Sequence, residues 1–542
     1  MENRSHELVK KNTAAMKLIV FICNWGPHTA MHTLQEQGAD IPEEIGLIRV
    51  PCAGRINRAL LLRAFEMGAD GVALLGCAAG ACRYGSGTET AVGNIEDMQE
   101  ILDLLGIGRQ RLRLGMSLPD EAPQLLEFLK TFSDDIRAFG KSPVEPQALK
   151  PAGAQAPDTA ALVRAIIAGR DVFACQDCGK CTSACPLALT GKNYSPRAIA
   201  NAVITGGATS ESVQKDVRAC LTCGLCHERC PSDVNFPEFI RDLRGLEKPD
   251  SETAREAHEG FFQSLMRTMA SPGLTTRKWQ WLGKDVAIDP VSKTLFWGGC
   301  AAYFDYFFRN FLAVKTRDIL VDSLKLLNFF DIKPAVLEDE RCCGHDLLWA
   351  GDKENFLRLA RLNAKAIAER GIEEIICACP ECYRTFVYDY PAHGIELGCK
   401  ITHLYDILEA EIDKGAVGFK KLEHAVTFQD PCRLSRLEGK SDLPRKLISR
   451  LKTQGFQEMQ DFGAAALCCG NCAWTGCDAY SKKLQVLRLK QARATGSDLL
   501  ITSCPKCQIH LTCAMEDPIQ ADAIKIDMMD LTGVLVKTLR WE

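Results

Sequence analysis

Apolar residues fall along the chain in short runs separated by stretches of helical spacing, and this alternation sets the expected fold class. Lys17–Cys23 reads as a buried strand and Ile45–Pro51 as a second. Ile56–Gly68 has helical spacing, and Gly71–Gly76 is a third strand. Ile95–Leu105 follows as a helix, Arg111–Met116 as a strand and Pro123–Phe139 as a closing helix. Such alternation predicts a small parallel α/β domain over residues 1–140. Ser142–Asp158 holds four prolines and little apolar pattern, so 141–158 is a linker. Thr159–Ala168 predicts a short helix, and Ser195-Pro196 opens another, with serine as N-cap and proline in the first turn. Residues 248–292 form a second linker, with an amphipathic helix expected at Glu252–Met269. Thr294–Trp297 and Ala425–Phe428 each start a further strand–helix stretch. The expected class is α/β overall. It comprises an N-terminal parallel domain, a central helical module over 159–247, and duplicated α/β domains over 293–415 and 416–542.

Composition narrows the function. The 542 residues suggest three to five domains, and 46% hydrophobic with 25% charged residues is ordinary for a globular protein. A net charge of −4 argues against a nucleic-acid partner. No run approaches the roughly 18 apolar residues of a membrane span, and the N-terminus lacks the apolar core of a secretory signal. The 27 cysteines are the departure. Clustered cysteines without a signal peptide indicate metal rather than disulfides, and an expected home in a reducing, anaerobic cytoplasm.

Cys175, Cys178, Cys181 and Cys185 form a C-x2-C-x2-C-x3-C run closed by Pro186. Cys220, Cys223, Cys226 and Cys230 repeat it, closed by Pro231. This is the two-cluster ferredoxin signature, in which the fourth cysteine of each run ligates the other cluster. Cys175, Cys178, Cys181 and Cys230 are therefore assigned to one cubane 4Fe-4S cluster. Cys220, Cys223, Cys226 and Cys185 are assigned to the second. Paired zinc sites are the alternative, but three cysteines within seven residues disfavour them. The helical insertion between the runs resembles the C subunit of heterodisulfide reductase, where a similar Ser-Pro-Arg follows the first run. Arg197 itself is assigned no role.

In the N-terminal domain Cys23, Cys52 and Cys77 fall at carboxyl ends of predicted strands, with Cys82 five residues beyond Cys77. Open α/β sheets place their sites at that edge. Spacing leaves a 2Fe-2S cluster and a zinc ion both open. Phe-Ile-Cys-Asn-Trp at 21–25, Val-Pro-Cys-Ala-Gly-Arg at 50–55 and Gly-Cys-Ala-Ala-Gly-Ala-Cys-Arg-Tyr at 76–84 resemble the delta subunit of methyl-viologen-reducing hydrogenase. The resemblance implies one 2Fe-2S cluster on Cys23, Cys52, Cys77 and Cys82. It also implies electron passage between a hydrogenase or dehydrogenase and a flavoprotein. Gly26 stands near where many relatives carry a further cysteine.

The C-terminal half is an internal repeat. Cys300, Cys342-Cys343-Gly344 and Cys379-Pro380-Glu381-Cys382 recur as Cys432, Cys468-Cys469-Gly470 and Cys504-Pro505-Lys506-Cys507, at offsets of 132, 126 and 125 residues. Each copy reads strand, helix, strand, double cysteine, helix, strand, C-x2-C. Adjacent cysteines rarely share one zinc, so five thiols per copy suggest a larger cluster. The pattern resembles the B subunit of heterodisulfide reductase. That resemblance implies a noncubane 4Fe-4S cluster on Cys300, Cys342, Cys343, Cys379 and Cys382. It implies another on Cys432, Cys468, Cys469, Cys504 and Cys507. The two would face each other across a disulfide, which is cleaved between them, each cluster capturing one sulfur. His345 and Asn471 are candidate substrate contacts, with a structural hydrogen bond as the alternative for His345. Arg341 and Arg433 read as surface or helix-dipole charges, with attraction of an anionic thiol as the alternative. Cys377, Cys399, Cys472, Cys477 and Cys513 lie outside every set and read as small buried hydrophobes, Cys472 and Cys477 being close to Cys469.

No G-x-G-x-x-G follows a predicted strand, so FAD is expected only on a partner. The leading expectation is an oxidoreductase subunit of a multi-subunit, flavin-based electron-bifurcating complex. It would reduce a heterodisulfide-like substrate with one 2Fe-2S, two cubane and two noncubane clusters. Expected partners are a flavoprotein resembling the A subunit of heterodisulfide reductase, and a hydrogenase, formate dehydrogenase or NAD(P)H dehydrogenase module. A pure electron-transfer subunit is the alternative.

Overall fold

The computed structural model describes residues 16–146, 158–246, 256–415, 417–519 and 521–541, which fall into two compact units. The first comprises residues up to 150 together with 264–278, and the second the remainder. Among the described residues no helix is long and apolar enough to cross a membrane.

The first unit is a four-stranded sheet of β1 (Leu18–Cys23), β2 (Ile45–Val50), β3 (Gly71–Cys77) and β4 (Leu112–Ser117), all parallel, in the order β2-β1-β3-β4. Alternate residues Leu18, Val20 and Ile22 of β1 join Ala73 and Leu75 of β3 under helices Gly26–Glu36 and Ala122–Phe139. Helices Arg58–Glu66 and Gly87–Leu104 pack against each other. The chain turns one way from β1 to β2 and the other way from β2 to β3, so right-handed crossovers set successive helices on opposite faces. That reversal makes a crevice beyond the carboxyl ends of β1 and β3, where Cys23 and Cys77 stand. Buried Arg111 ties the far end of the unit, donating to the carbonyls of Ile107, Asp70, Gly140, Phe139 and Lys141. Residues 264–278 belong to this unit although the chain reaches them late. Ser264 and Arg267 both donate to the carboxylate of Glu66, and the amide of Arg277 donates to the carbonyl of Leu104. The helix expected over 252–269 begins only at Phe261, because His258 and Glu259 take left-handed backbone; residues 252–255 lie outside the described ones.

In the second unit the ferredoxin-like stretch is helical throughout, and Ser195 caps helix Pro196–Ile204 by accepting from the Ala198 amide at 3.3 Å. The repeat is visible as topology. The first copy pairs β5 (Thr294–Trp297), β6 (Glu374–Cys377) and β7 (Lys400–His403) in the order β5-β6-β7. The second orders β8 (Ala425–Phe428), β9 (Gly455–Phe456), β10 (Leu499–Thr502) and β11 (Asp527–Asp530) as β11-β10-β8-β9, and every pairing is parallel. β5, β6 and β7 thus match β8, β10 and β11. The strand expected before the first double cysteine shrinks to a single bridge between Leu295 and Ala335. The two copies share one core, in which Phe296, Leu324 and Ile376 meet Phe428, Ile501 and Val534. The second copy also shares a core with the helical module, through Leu484, Leu500 and Leu511 against Val217, Phe239 and Ile240.

Arg111→Met leaves the buried carbonyls of Ile107 and Asp70 without this donor, each worth about 1–3 kcal/mol. Hydrogen exchange on the full chain is expected to show β4 amides opening about 3 kcal/mol more easily, with β8 and β10 unchanged. Unchanged β4 protection contradicts the role given to Arg111.

Candidate metal centres

Parallel strands ending together bring the N-terminal thiols to one edge. The sulfurs of Cys23 and Cys77 lie 3.7 Å apart. A Cβ placed on Gly87 would stand 2.5 Å from Cys52 Sγ and 2.8 Å from Cys82 Sγ, so all four thiols converge and only glycine fits beside them. Burial raises Cys23 and Cys52 above the ordinary thiol value. Burial would raise Cys82 as well, but the amides of Tyr84, Gly87 and Thr88 outweigh it and leave that thiol lowered. A sulfur cradled by amides is suited to bind metal as thiolate. At Gly26 a Cβ would run into the carbonyl oxygen of Ser117, so a cysteine there needs the backbone to shift.

The two cysteine runs of the helical module adopt the same local shape. Gly179 and Gly224 take left-handed φ of 80° and 83°, turning the chain into short helices Lys180–Ala184 and Leu225–Glu228. Each run also has a non-glycine residue at positive φ before its second cysteine, Asp177 at 51° and Thr222 at 44°. Cys185, Cys220, Cys223 and Cys226 line one pocket with Tyr194 and Phe236. Burial pushes Cys185 up to about 12, reinforced by the charges of Cys223 and Cys220, so it stands beside the second run. Cys181 and Cys175 interact in the same way in the first set.

In each Cys-Cys-Gly copy the five sulfurs form one chain of contacts. In the first it runs Cys300, Cys342, Cys343, Cys382, Cys379, with 3.0 Å between Cys300 and Cys342. In the second it runs Cys432, Cys468, Cys469, Cys507, Cys504, the same order. Contact with Cys468 and Cys507 brings Cys469 down to about 6, while Cys342, Cys343 and Cys382 are raised, first by their neighbouring sulfurs. Gly299 admits Cys382, whose sulfur would lie 2.8 Å from an added Cβ. Five sulfurs linked in one chain of contacts, most of them buried, fit an iron–sulfur cluster.

The first set lines a pocket whose wall includes Pro505 and Lys506 of the second copy. Between the copies lies a buried polar network that spacing alone does not reveal. Lys506 bridges Asp346 and Glu381, at 2.6 Å from the latter, so its ammonium occupies the place a metal ion would take among His345, Asp346 and Glu381. Glu381 and Lys506 hold equivalent places in the two C-x2-C motifs. Arg433 Nε donates to His345 Nε2 at 3.1 Å, which fixes the proton on Nδ1, and that nitrogen donates to Asp346 at 2.9 Å. Both nitrogens of His345 are therefore engaged inside the protein. Arg433 is 2% exposed rather than a surface charge, because three modules close over it. It donates to the Thr222 carbonyl at 2.6 Å, the Thr222 hydroxyl at 3.1 Å and Cys472 Sγ at 2.8 Å, and stacks on Trp349 at 4.2 Å. Arg341 is also buried, which lowers it. Asn471 donates to the Thr475 carbonyl, 3.0 Å away.

Of the cysteines outside the sets, Cys377 and Cys472 are buried, Cys399 and Cys513 half-buried, and Cys477 exposed, so one hydrophobic role does not cover all five. Cys472 accepts from both Arg433 and Thr222. Aligning the copies would have singled out this position, since Cys472 stands where the first copy has Asp346.

Three family profiles match the chain. Residues 18–140 match "Methyl-viologen-reducing hydrogenase, delta subunit", 174–235 a 4Fe-4S dicluster domain, and 295–387 with 426–512 a cysteine-rich domain. The D subunit of dihydromethanophenazine:CoB–CoM heterodisulfide reductase from Methanosarcina acetivorans is 28% identical over 291 residues, 52% of this chain and 68% of that protein. The B subunit of fumarate reductase (CoM/CoB) from Methanothermobacter marburgensis is 26% identical over 372 residues, 66% of this chain and 71% of that protein. The iron–sulfur D subunit of the F420-non-reducing hydrogenase vhc from Methanococcus voltae is 32% identical over 124 residues, 23% of this chain and 86% of that protein. The chain therefore belongs, through its N-terminal domain, to the methyl-viologen-reducing hydrogenase delta-subunit family, here joined to 4Fe-4S dicluster and cysteine-rich domains homologous to the D subunit of heterodisulfide reductase, and it is an iron–sulfur electron-transfer subunit of the oxidoreductase class.

Proposed function

We propose that this chain is the disulfide-reducing subunit of a flavin-based electron-bifurcating complex, acting on a heterodisulfide-like substrate between its two Cys-Cys-Gly sites. The observation that carries the reading is the shared pocket. The cavity holding the first copy's five thiols is walled by Pro505 and Lys506 from the second copy's C-x2-C. Cys23, Cys52, Cys77 and Cys82 would hold a 2Fe-2S cluster. The two crossed sets at 175–230 would hold cubanes, and the two sets of five would hold noncubane 4Fe-4S clusters. When bound, these clusters would carry electrons singly to a pocket where a disulfide takes two electrons and two protons to become two thiols.

The chain's own residues arrange the rest. Charge interaction between Cys223 and both Cys432 and Cys468 supports entry through the second copy. Arg436 fixes that approach, donating to the Cys223 carbonyl and the Ala464 carbonyl at 2.6 Å each. Lys506 paired with Asp346 and Glu381, and His345 hydrogen-bonded to Asp346, fill the space between the copies, which keeps the pocket's polar wall ordered. The partners that fit are a flavoprotein carrying FAD and a hydrogenase, formate or NAD(P)H dehydrogenase module, the latter met by the N-terminal domain. A second reading draws on the likeness to the fumarate reductase protein over 66% of the chain. In it the chain passes electrons onward to another protein, a quinone module or a non-disulfide acceptor.

Cys343→Ser and Cys469→Ser are each expected to abolish turnover of small disulfides while leaving the reduced-cubane EPR signals. Turnover retained in both variants contradicts the catalytic assignment. Gly87→Ala is expected to remove the N-terminal cluster, read as loss of a 2Fe-2S signal and about two irons per chain, with the other clusters kept. An unchanged 2Fe-2S signal in that variant contradicts the N-terminal ligand set.

A further inference from the structure

Each ferredoxin-type loop has an arginine gripping the residue before its second cysteine, and the two arginines come from different places. In the first loop Arg197 NH1 donates to both the carbonyl and the carboxylate of Asp177, at 3.0 and 2.9 Å. This arginine lies on the module's own helix Pro196–Ile204 and its side chain is 40% exposed. In the second loop Thr222 is gripped in the same way, through carbonyl and hydroxyl. The guanidinium there is that of Arg433, from the π-helical turn Arg433–Leu437 that follows Cys432 of the second Cys-Cys-Gly domain. The second loop needs the grip more. Thr222 is β-branched and held at a φ of 44°, a conformation such residues adopt only when their surroundings impose it. Its amide meanwhile donates to Cys220 Sγ at 3.3 Å.

Arg433 also lies between two proposed clusters. Its NH1 is 3.9 Å from Cys432 Sγ, while Thr222 joins Cys220 to Cys223. Among the described residues none of its hydrogen-bond partners is a carboxylate. They are a neutral imidazole nitrogen, a carbonyl, a hydroxyl and the Cys472 sulfur. In the first copy, the place of Cys472 is taken by Asp346. Glu381 and Asp389 act on Arg433 only from beyond hydrogen-bond distance, and a guanidinium buried without a hydrogen-bonded carboxylate favours a neighbouring group that gains negative charge, more so in a medium of low dielectric.

We propose that Arg433 is a positioning and tuning residue. It completes the second cubane loop from the Cys-Cys-Gly domain, and its charge, 3.9 Å from Cys432 Sγ, raises the reduction potential at that junction, drawing electrons toward the second copy. The proposal rests on the cluster assignment above and deepens it.

The test is an anaerobic redox titration of the full chain followed by EPR, preceded by iron and acid-labile sulfide analysis of every variant. Arg433→Gln is expected to move the midpoint of the second cubane or of the second Cys-Cys-Gly centre to more negative potential. Arg433→Lys, which keeps the charge, is expected to restore most of the shift. Arg197→Gln, at the solvated loop, is expected to leave these midpoints in place. If Arg433→Gln fails to assemble, Cys472→Asp supplies the test, since it puts a carboxylate where Cys472 Sγ now accepts from Arg433, neutralising the same charge and moving the same midpoints negative. Midpoints unchanged in fully iron-loaded Arg433→Gln or Cys472→Asp overturn the proposal. So does an equal shift in Arg433→Lys and Arg433→Gln. Wild-type chain lacking iron and sulfide instead overturns the cluster reading itself, a separate outcome.

Discussion

Four or five sulfur atoms drawn to one point repel as thiolates and waste hydrogen-bonding capacity as thiols, so cations among them would stabilise the arrangement. The architecture follows from that constraint. Each group of thiols sits where parallel strands end together or where short helices turn away from a left-handed glycine, because those places aim several loops at one point. Cys23 and Cys77 close a topological switch point, and Cys300 and Cys432 follow the equivalent strands β5 and β8 of the two copies. The raised thiols of Cys185, Cys343 and Cys382 express the same strain in terms of protons.

Duplication gave the second unit two similar sites, and substitution has made them unequal. Glu381 faces Lys506 where the two C-x2-C motifs meet, and Asp346 in one copy corresponds to Cys472 in the other. Arg433 replaces the small Ala301 at the position after the first cysteine. Carboxylates thus stand in the first copy where the second has a sulfur or a cation, and both copies border the helical module, the first through Arg384 on Glu238 and the second through Arg433 and Arg436 on the second cysteine loop. A pair of sites that differ in this way can receive electrons on one side and present substrate from the other.

The thiols are legible in the sequence because spacing is local. C-x2-C runs, doubled cysteines and strand-end positions stay recognisable whatever packs around them. The parallel α/β class is legible for the same reason, as are β3, helix Ala122–Phe139 and the Ser195 cap. What escapes depends on which surfaces meet. Arg433 reads as a surface charge because nothing in its neighbourhood along the chain announces Thr222, His345 and Trp349 closing over it. Cys472 reads as a small hydrophobe, since its two donors come from residues 222 and 433. The helix expected over 252–269 is too long because apolar spacing does not register the left-handed turn at His258 and Glu259. Residues 264–278 read as linker, whereas Glu66 recruits them to the N-terminal unit.

The central claim is that the two sets of five thiols form a substrate site rather than a conduit. Anaerobic EPR of the oxidised chain, titrated with small thiols, addresses it most directly. The account predicts a new paramagnetic signal on thiol addition, lost in Cys469→Ser. Silence across all thiols, in protein whose cubanes give normal reduced signals, would contradict it and place the chemistry in a partner.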